Sequence, residues 1–239
     1  RALAKMMEAR RVVLARDARL GSPALHKGMI RALTEQGVDV DDLGLVPIEV
    51  MYYVVGKYEE KYDGGIMITA SHNPKEYAGI KSVGKGVNSI RGKEVLEFLE
   101  SNPEIKESET KGVVTEIDLR DEYIEHAFSF INKETIKPFK VVIDAGNGMA
   151  SQIMPKALRH LPIEAITTNF EPDGNFPSHP SNPLEEESQN FITGKVKEEG
   201  ADLGVIFDGD ADRMFFVDEK GTFLRADYIL LMLARVMLE

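Results

Sequence analysis

Short apolar runs and stretches of helical spacing alternate along this chain. Arg11–Arg16 (RVVLAR) is a run of strand length, and Ser22-Pro23 then opens a helical stretch with a hydroxyl cap and a proline in its first turn. Gly37 ends that stretch, residues 38–46 read as a second strand, and Pro47 starts a helix through Tyr58. Residues 65–69 (GIMIT) and 80–83 are short strands, and Val95, Leu96 and Leu99 give residues 94–100 helical spacing. A charged, polar stretch with Pro103 follows over residues 101–111; after a short apolar patch a helix is predicted over 118–131. The alternation then resumes: strand 140–145, helix 149–160, strand 163–168, helix 187–199, strands 201–207 and 214–217, a hairpin turn at Glu219-Lys220-Gly221, and a helix over 227–239. The first ten residues read as the tail of a helix. Strands alternating with helices predict an α/β fold, here two consecutive three-layer domains with mixed, mostly parallel sheets. The expected division is 1–117, then 118–224, with 225–239 opening a third unit.

Composition narrows the function classes. Of 239 residues, 43% are hydrophobic and 29% charged, enough to build a core and to exclude a disordered chain. A net charge of −11 argues against a general nucleic-acid binder, which needs a basic face. With no cysteine there are neither disulfides nor thiolate chemistry, which fits a cytoplasmic protein. No apolar run approaches the ~20 residues that span a bilayer, so no membrane partner is expected.

Two motifs carry chemistry. In Asp208-Gly-Asp-Ala-Asp-Arg213 three carboxylates alternate in a short loop directly after the apolar run LGVIF. Packed together they repel, and a hard dication such as Mg²⁺ removes the conflict. The alternatives are a solvated acidic turn and a calcium EF-hand with Glu219 at its twelfth position. The EF-hand needs Gly where Arg213 stands and helices where the flanks are strand-like. The second motif, Thr69-Ala-Ser71-His72-Asn73-Pro74, also follows a buried run. A serine at a strand-to-loop transition projects its hydroxyl into a cleft, and His72 is placed to exchange a proton. Lys81, after Gly79, suits a phosphate or a proton transfer, although most lysines are only solvated. Arg16-Asp17-Ala-Arg19 reads as ion pairing. Asp144-Ala-Gly-Asn-Gly148 opens a helix where phosphate can bind, but Ser151 stands where a dinucleotide fingerprint needs its third glycine. His179 lies in a proline-rich loop with no acidic or histidine neighbour at ligand spacing, and reads as structural.

TASHNP, followed well over a hundred residues later by DGDADR, resembles the α-D-phosphohexomutases, most closely the bacterial phosphomannomutase/phosphoglucomutase branch. GGIMITASHNP, GIK, VVIDAGNG, DGNFP and ADLGVIFDGDADR match that branch in the same order. The resemblance implies that Ser71 is a phosphoserine and that Asp208, Asp210 and Asp212 hold Mg²⁺ together with an oxygen on Ser71. It further implies that His72 and Lys81 are acid–base residues and that Arg213 sits beside the phosphoryl group. The substrate would be a phosphorylated hexose, mannose or glucose, and hexose 1,6-bisphosphate the activator and intermediate. The family has four domains around one cleft; this chain matches the first two, lacks the N-terminal Tyr-Asp-x-Arg-Gly motif, and has Ala78 where Asn is usual. The expectation is therefore an inactive piece of a mutase that self-associates through its C-terminal helix. The competing readings are a phosphoglucosamine mutase, a catalytically silent metal-binding module on the same scaffold, and a phosphatase using Asp208 as nucleophile.

Overall fold

The computed structural model describes residues 1–101 and 103–238. Two compact units divide the chain: Arg1–Ala70 with Lys75–Phe130, and Ser71–Pro74 with Ile131–Glu239. By contacts the seam between the two units falls at Phe130 and Ile131.

The first unit runs α1 (Ala2–Met6), β1 (Arg11–Arg16), α2 (Ser22–Thr34), β2 (Asp39–Leu45), α3 (Ile48–Lys57), β3 (Gly64–Ile68), β4 (Ile80–Gly84), β5 (Ser89–Ile90), α4 (Gly92–Glu100), β6 (Val114–Glu116) and α5 (Arg120–Phe128). Its six-stranded sheet has the order β5-β4-β3-β1-β2-β6. The strands β3, β1, β2 and β6 are parallel, and β4 and β5 are antiparallel additions at one edge. The central strands read as unbroken apolar runs because helices cover them: Val12, Val13, Leu14, Ile66, Met67 and Ile68 have no solvent exposure. Gly65 lets α3 pack closely, since a Cβ there would lie 2.3 Å from the sulfur of Met51 and 2.7 Å from a methyl of Val55. Pro47 in extended conformation starts α3, as its sequence position predicts. Ser22 does not cap α2: Gly21 is the cap, and the Ser22 hydroxyl turns instead to the Asp17 carboxylate. The short strands β5 and β6 escape the sequence pattern, having too few residues to show a period.

The second unit runs β7 (Lys140–Asp144), α6 (Met154–Leu158), β8 (Glu164–Thr168), α7 (Glu186–Glu199), β9 (Leu203–Phe207), β10 (Met214–Asp218) and α8 (Ala226–Leu238). Its sheet order is β10-β9-β7-β8, parallel except for the β9–β10 hairpin. The helix expected over 149–160 is broken into a 3-10 turn at Met149–Gln152 and the short α6, with the non-helical Ile153 between and Pro155 in the first turn of α6. Helix α7 ends on Gly200 in the left-handed conformation, where glycine avoids the Cβ penalty. It buries Ile192 and Val196 against Val142, Ile206 and Val217. The turn expected at Glu219-Lys220-Gly221 forms, closed by the Gly221 N–H on the Asp218 carbonyl. Residue 239, the expected end of the last helix, lies outside the described residues. Mixed, mostly parallel sheets in both units bear out the expected fold class. Among the described residues no helix is long and apolar enough to cross a membrane.

Candidate active site

The Asp-rich loop joins β9 to β10, and the register of the hairpin sets its shape. Phe207 pairs with Met214, the Asp208 N–H donates to the Arg213 carbonyl at 3.1 Å, and the Ala211 N–H donates to the Asp208 carbonyl at 3.1 Å. Ala211 takes the left-handed conformation with φ 67°, which folds the loop back on itself. Asp208 and Asp210 are fully buried and Asp212 is exposed, and one carboxylate oxygen from each lies within 4.8 Å of the others. The Met149 N–H holds the loop from the β7 side by donating to the Gly209 carbonyl at 3.1 Å.

The segment Ser71–Pro74 belongs to the same compact unit. The Ser71 hydroxyl donates to Oδ2 of Asp208 at 2.9 Å, and the Arg213 guanidinium donates to the Ser71 oxygen at 2.6 Å. The same nitrogen of Arg213 reaches Oδ2 of Asp208 and Nδ1 of His72. An arginine has only donors, so Nδ1 of His72 accepts and Nε2 carries the ring proton. Ser71 is 7% exposed with φ 53°, a left-handed conformation that strains a residue bearing a Cβ. Gly209 packs on it closely: a Cβ there would lie 2.6 Å from the Ser71 carbonyl oxygen.

Burial, and then repulsion from Asp210, pushes the Asp208 carboxyl up to about 6; Asp212 adds to the rise, while Arg213 and the Ser71 hydroxyl oppose it. A cluster of carboxylates in such conflict, two of them buried, could hold a hard divalent cation through oxygen donors. An EF-hand is not formed, because β10 runs between the loop and Glu219.

Six of the expected residues, Ser71, His72, Asp208, Asp210, Asp212 and Arg213, therefore meet in one unit. Lys81 is carried by β4 of the first unit, opposite Met67 in register. Arg19 and Asp17 form the expected ion pair at 3.3 Å, both buried. Arg19 also donates to the Tyr77 carbonyl at 3.2 Å, while the Thr69 N–H reaches the Gly79 carbonyl at 3.1 Å, so the base of the serine loop is tied down within the first unit. Burial raises the Asp17 pKa against hydrogen bonds from Ser22 and Thr69.

The expectation that residues 144–148 bind phosphate is corrected. The Ala145, Gly146, Asn147, Gly148 and Met149 N–H groups are spent on Thr168, Asp144, Asn169, Ala145 and Gly209 respectively. The loop is a scaffold for the Asp-rich hairpin rather than an anion cradle. A Cβ on Gly148 would lie 2.7 Å from the Gly209 carbonyl oxygen, so glycine is needed for that approach. His179, which showed no partner by spacing, is buried against Asp144 at 2.7 Å. Their separation along the chain hides the pair from any local reading; only the apolar-strand-to-Asp pattern at 140–144 hints at a carboxylate aimed off a strand end.

The comparisons with known proteins converge. The family model described as "Phosphoglucomutase/phosphomannomutase, alpha/beta/alpha domain I" matches residues 1–108, and that described as "alpha/beta/alpha domain II" matches residues 121–221. The chain belongs to the phosphoglucomutase/phosphomannomutase family. It is 39% identical over 250 residues to the Escherichia coli phosphomannomutase, covering 100% of this chain and 54% of that protein. To the Pseudomonas aeruginosa phosphomannomutase/phosphoglucomutase it is 37% identical, covering 94% of this chain and 47% of that protein. A crystal structure of a phosphoglucomutase/phosphomannomutase family protein from Burkholderia thailandensis superposes with a TM-score of 0.87 at 31% identity, over 99% of this chain and 52% of that one. The chain thus spans about half the length of the family members it matches.

Proposed function

We propose that this chain carries the phosphoserine and metal-binding machinery of a phosphohexomutase. Such an enzyme is an isomerase of carbohydrate metabolism, interconverting hexose 1-phosphate and hexose 6-phosphate of mannose or glucose through a 1,6-bisphosphate. The observation that carries this reading is the Ser71 hydroxyl, held 2.9 Å from Asp208 and 2.6 Å from the Arg213 guanidinium beside three converging carboxylates. A serine so placed is positioned for phosphorylation, with a cation and a metal site at hand to neutralise the charge.

In the proposed reaction the bond between the Ser71 oxygen and phosphorus breaks as a sugar hydroxyl oxygen bonds to that phosphorus. The sugar hydroxyl proton passes to an acid–base group, the leaving Ser71 oxygen takes up a proton to become a free hydroxyl, and the reverse step with the sugar's other phosphate restores phosphoserine. Asp208, Asp210 and Asp212 would hold Mg²⁺, which supplies Lewis-acid neutralisation of phosphoryl oxygens. Arg213 holds the serine oxygen in place and keeps cationic charge next to it. Because Nδ1 of His72 is committed to Arg213, His72 offers Nε2–H as a donor. Lys81 is the proposed proton acceptor. A cytoplasmic location belongs to the same reading.

The test is to incubate the chain with Mg²⁺ and glucose 1,6-bisphosphate carrying labelled phosphate. The expected outcome is label on Ser71 and none in Ser71→Ala, with no turnover of glucose 1-phosphate or mannose 1-phosphate by this chain alone. Label on another residue, or none at all, would overturn the phosphoserine assignment. Turnover by the purified chain would overturn the proposal that its two family domains need the rest of a longer protein.

A further inference from the structure

His179 is a buried titratable group of the second unit that the proposed chemistry leaves unused. Its Nε2 lies 2.7 Å from Oδ2 of Asp144, and its Nδ1 lies 2.9 Å from the Pro180 carbonyl oxygen. A carbonyl oxygen accepts hydrogen bonds and never donates, and an ionised carboxylate does the same. Two acceptors on the two ring nitrogens demand a proton on each, which a neutral imidazole lacks. Asp144 is engaged as a carboxylate on its other side too, where Oδ1 accepts from the Gly146 N–H and the Asn169 amide, both at 2.9 Å. The charged groups acting on the ring are Asp144, at the end of β7, and Glu187, in the first turn of α7; both favour the cation. Phe191 on α7 covers the ring, with centroids 5.1 Å apart.

We propose that His179 is a buried imidazolium that positions the serine loop through the strap Pro180-Ser181. The Pro180 carbonyl accepts hydrogen bonds from the ring Nδ1–H and, at 3.0 Å, from the Ser188 hydroxyl, which fixes the strap on α7. The next residue, Ser181, donates its hydroxyl to the Asn73 carbonyl at 3.3 Å. Its Cβ also backs the Asp-rich loop, 3.4 Å from where a Cβ on Gly209 would stand. The charge on His179 is thus two short links from the segment that carries Ser71. Burial opposes that charge and is the largest single influence. Asp144, Pro180 and Glu187 together outweigh it, so the pKa lies above the ordinary histidine value. A histidine with a raised folded pKa stabilises fully below its unfolded value of about 6.5 and loses that contribution as pH rises through the folded value. The strap is therefore expected to loosen in the alkaline direction.

The bearing on phosphoryl transfer rests on the proposed role of Ser71, but the test needs no turnover, so failure of one is distinguishable from failure of the other. In ¹⁵N-labelled chain, the His179 ring is assigned by the signals lost in His179→Gln. Both ring nitrogens are expected to be protonated at pH 6.5, the ordinary histidine value, because the pKa lies above it; one protonated and one bare nitrogen there would overturn the imidazolium. Amide exchange at residues 71–73, the last before Pro74, is then followed against pH. In the wild type it should show an added acceleration that tracks the His179 titration, and in Ser181→Ala it should be fast throughout while the ring titrates unchanged. Exchange at 71–73 that ignores both the titration and Ser181→Ala would overturn the positioning role. If His179→Gln does not fold, Asp144→Asn provides the assignment and should lower the His179 pKa; an unchanged titration there would overturn the pairing.

Discussion

At the residue scale, the site is built from backbone that side chains ordinarily avoid. Ser71 and Ala211 both sit in the left-handed region, with φ 53° and 67°. Each such residue costs about 1–3 kcal/mol, a cost that persists only where the surroundings enforce it. For Ser71 the enforcement includes Gly209, whose missing Cβ leaves room for the Ser71 carbonyl. Gly209→Ala would place a methyl 2.6 Å from that backbone oxygen, with no flexible side chain to give way. We expect it to displace the serine by enough to slow phosphate uptake from the bisphosphate by about a hundredfold, the scale of a 1 Å misplacement. Far-ultraviolet circular dichroism should be unchanged. Uptake at the wild-type rate would show that the close packing is not needed.

At the element scale, the functional loops leave the carboxyl ends of parallel strands: the serine loop from β3, the Asp144 loop from β7 and the Asp-rich loop from β9. Ligands sit there in open α/β sheets because the backbone diverges from the sheet at those points. Helix α8 is the exception to an otherwise packed second unit. None of its described residues is buried, and Leu230, Leu231, Met232, Leu233, Val236, Met237 and Leu238 are all at least half exposed. The sequence pattern pointed to one apolar face; the structure exposes apolar side chains on more than one. So much apolar surface in water favours association. We propose self-association through this helix. Sedimentation velocity should show a mass that grows with concentration, and a chain ending at Leu224 should lose that growth. A monomer at all concentrations would exclude α8 as a contact surface.

At the scale of the whole molecule, the carboxylate cluster sets the sign of a trade between stability and binding. Asp208 and Asp210 are buried close together within a chain of net charge −11, so without metal they oppose folding. Asp210→Asn removes one of these charges at nearly constant volume. It is expected to raise the melting temperature in chelator while abolishing the rise that Mg²⁺ gives the wild type. The stabilisation behind that rise reaches about 2.7 kcal/mol when Mg²⁺ exceeds its dissociation constant a hundredfold. Calorimetric titration and thermal melts with and without Mg²⁺ read both effects. A variant that melts lower in chelator and keeps its Mg²⁺ response would remove Asp210 from the metal site.

By itself the sequence determined the alternation of strands and helices, the fold class, and the two motifs around Ser71 and Asp208. These are local signals: a buried strand is an apolar run, and an Asp-rich loop names its own chemistry. Strands of two or three residues such as β5 and β6 were not legible, because a period needs more residues than they have. The same limit hid the break in the helix after Met149 and the true role of Ser22, whose hydroxyl found a better acceptor in Asp17. Tertiary structure alone decided that the Asp144 loop spends its N–H groups internally, that His179 lies on Asp144, and that Arg213 joins Ser71, His72 and Asp208 through one nitrogen. Those outcomes depend on groups far apart in the chain that meet only when sheets and loops have packed, and hydrogen bonds are settled by distance in space rather than distance in sequence.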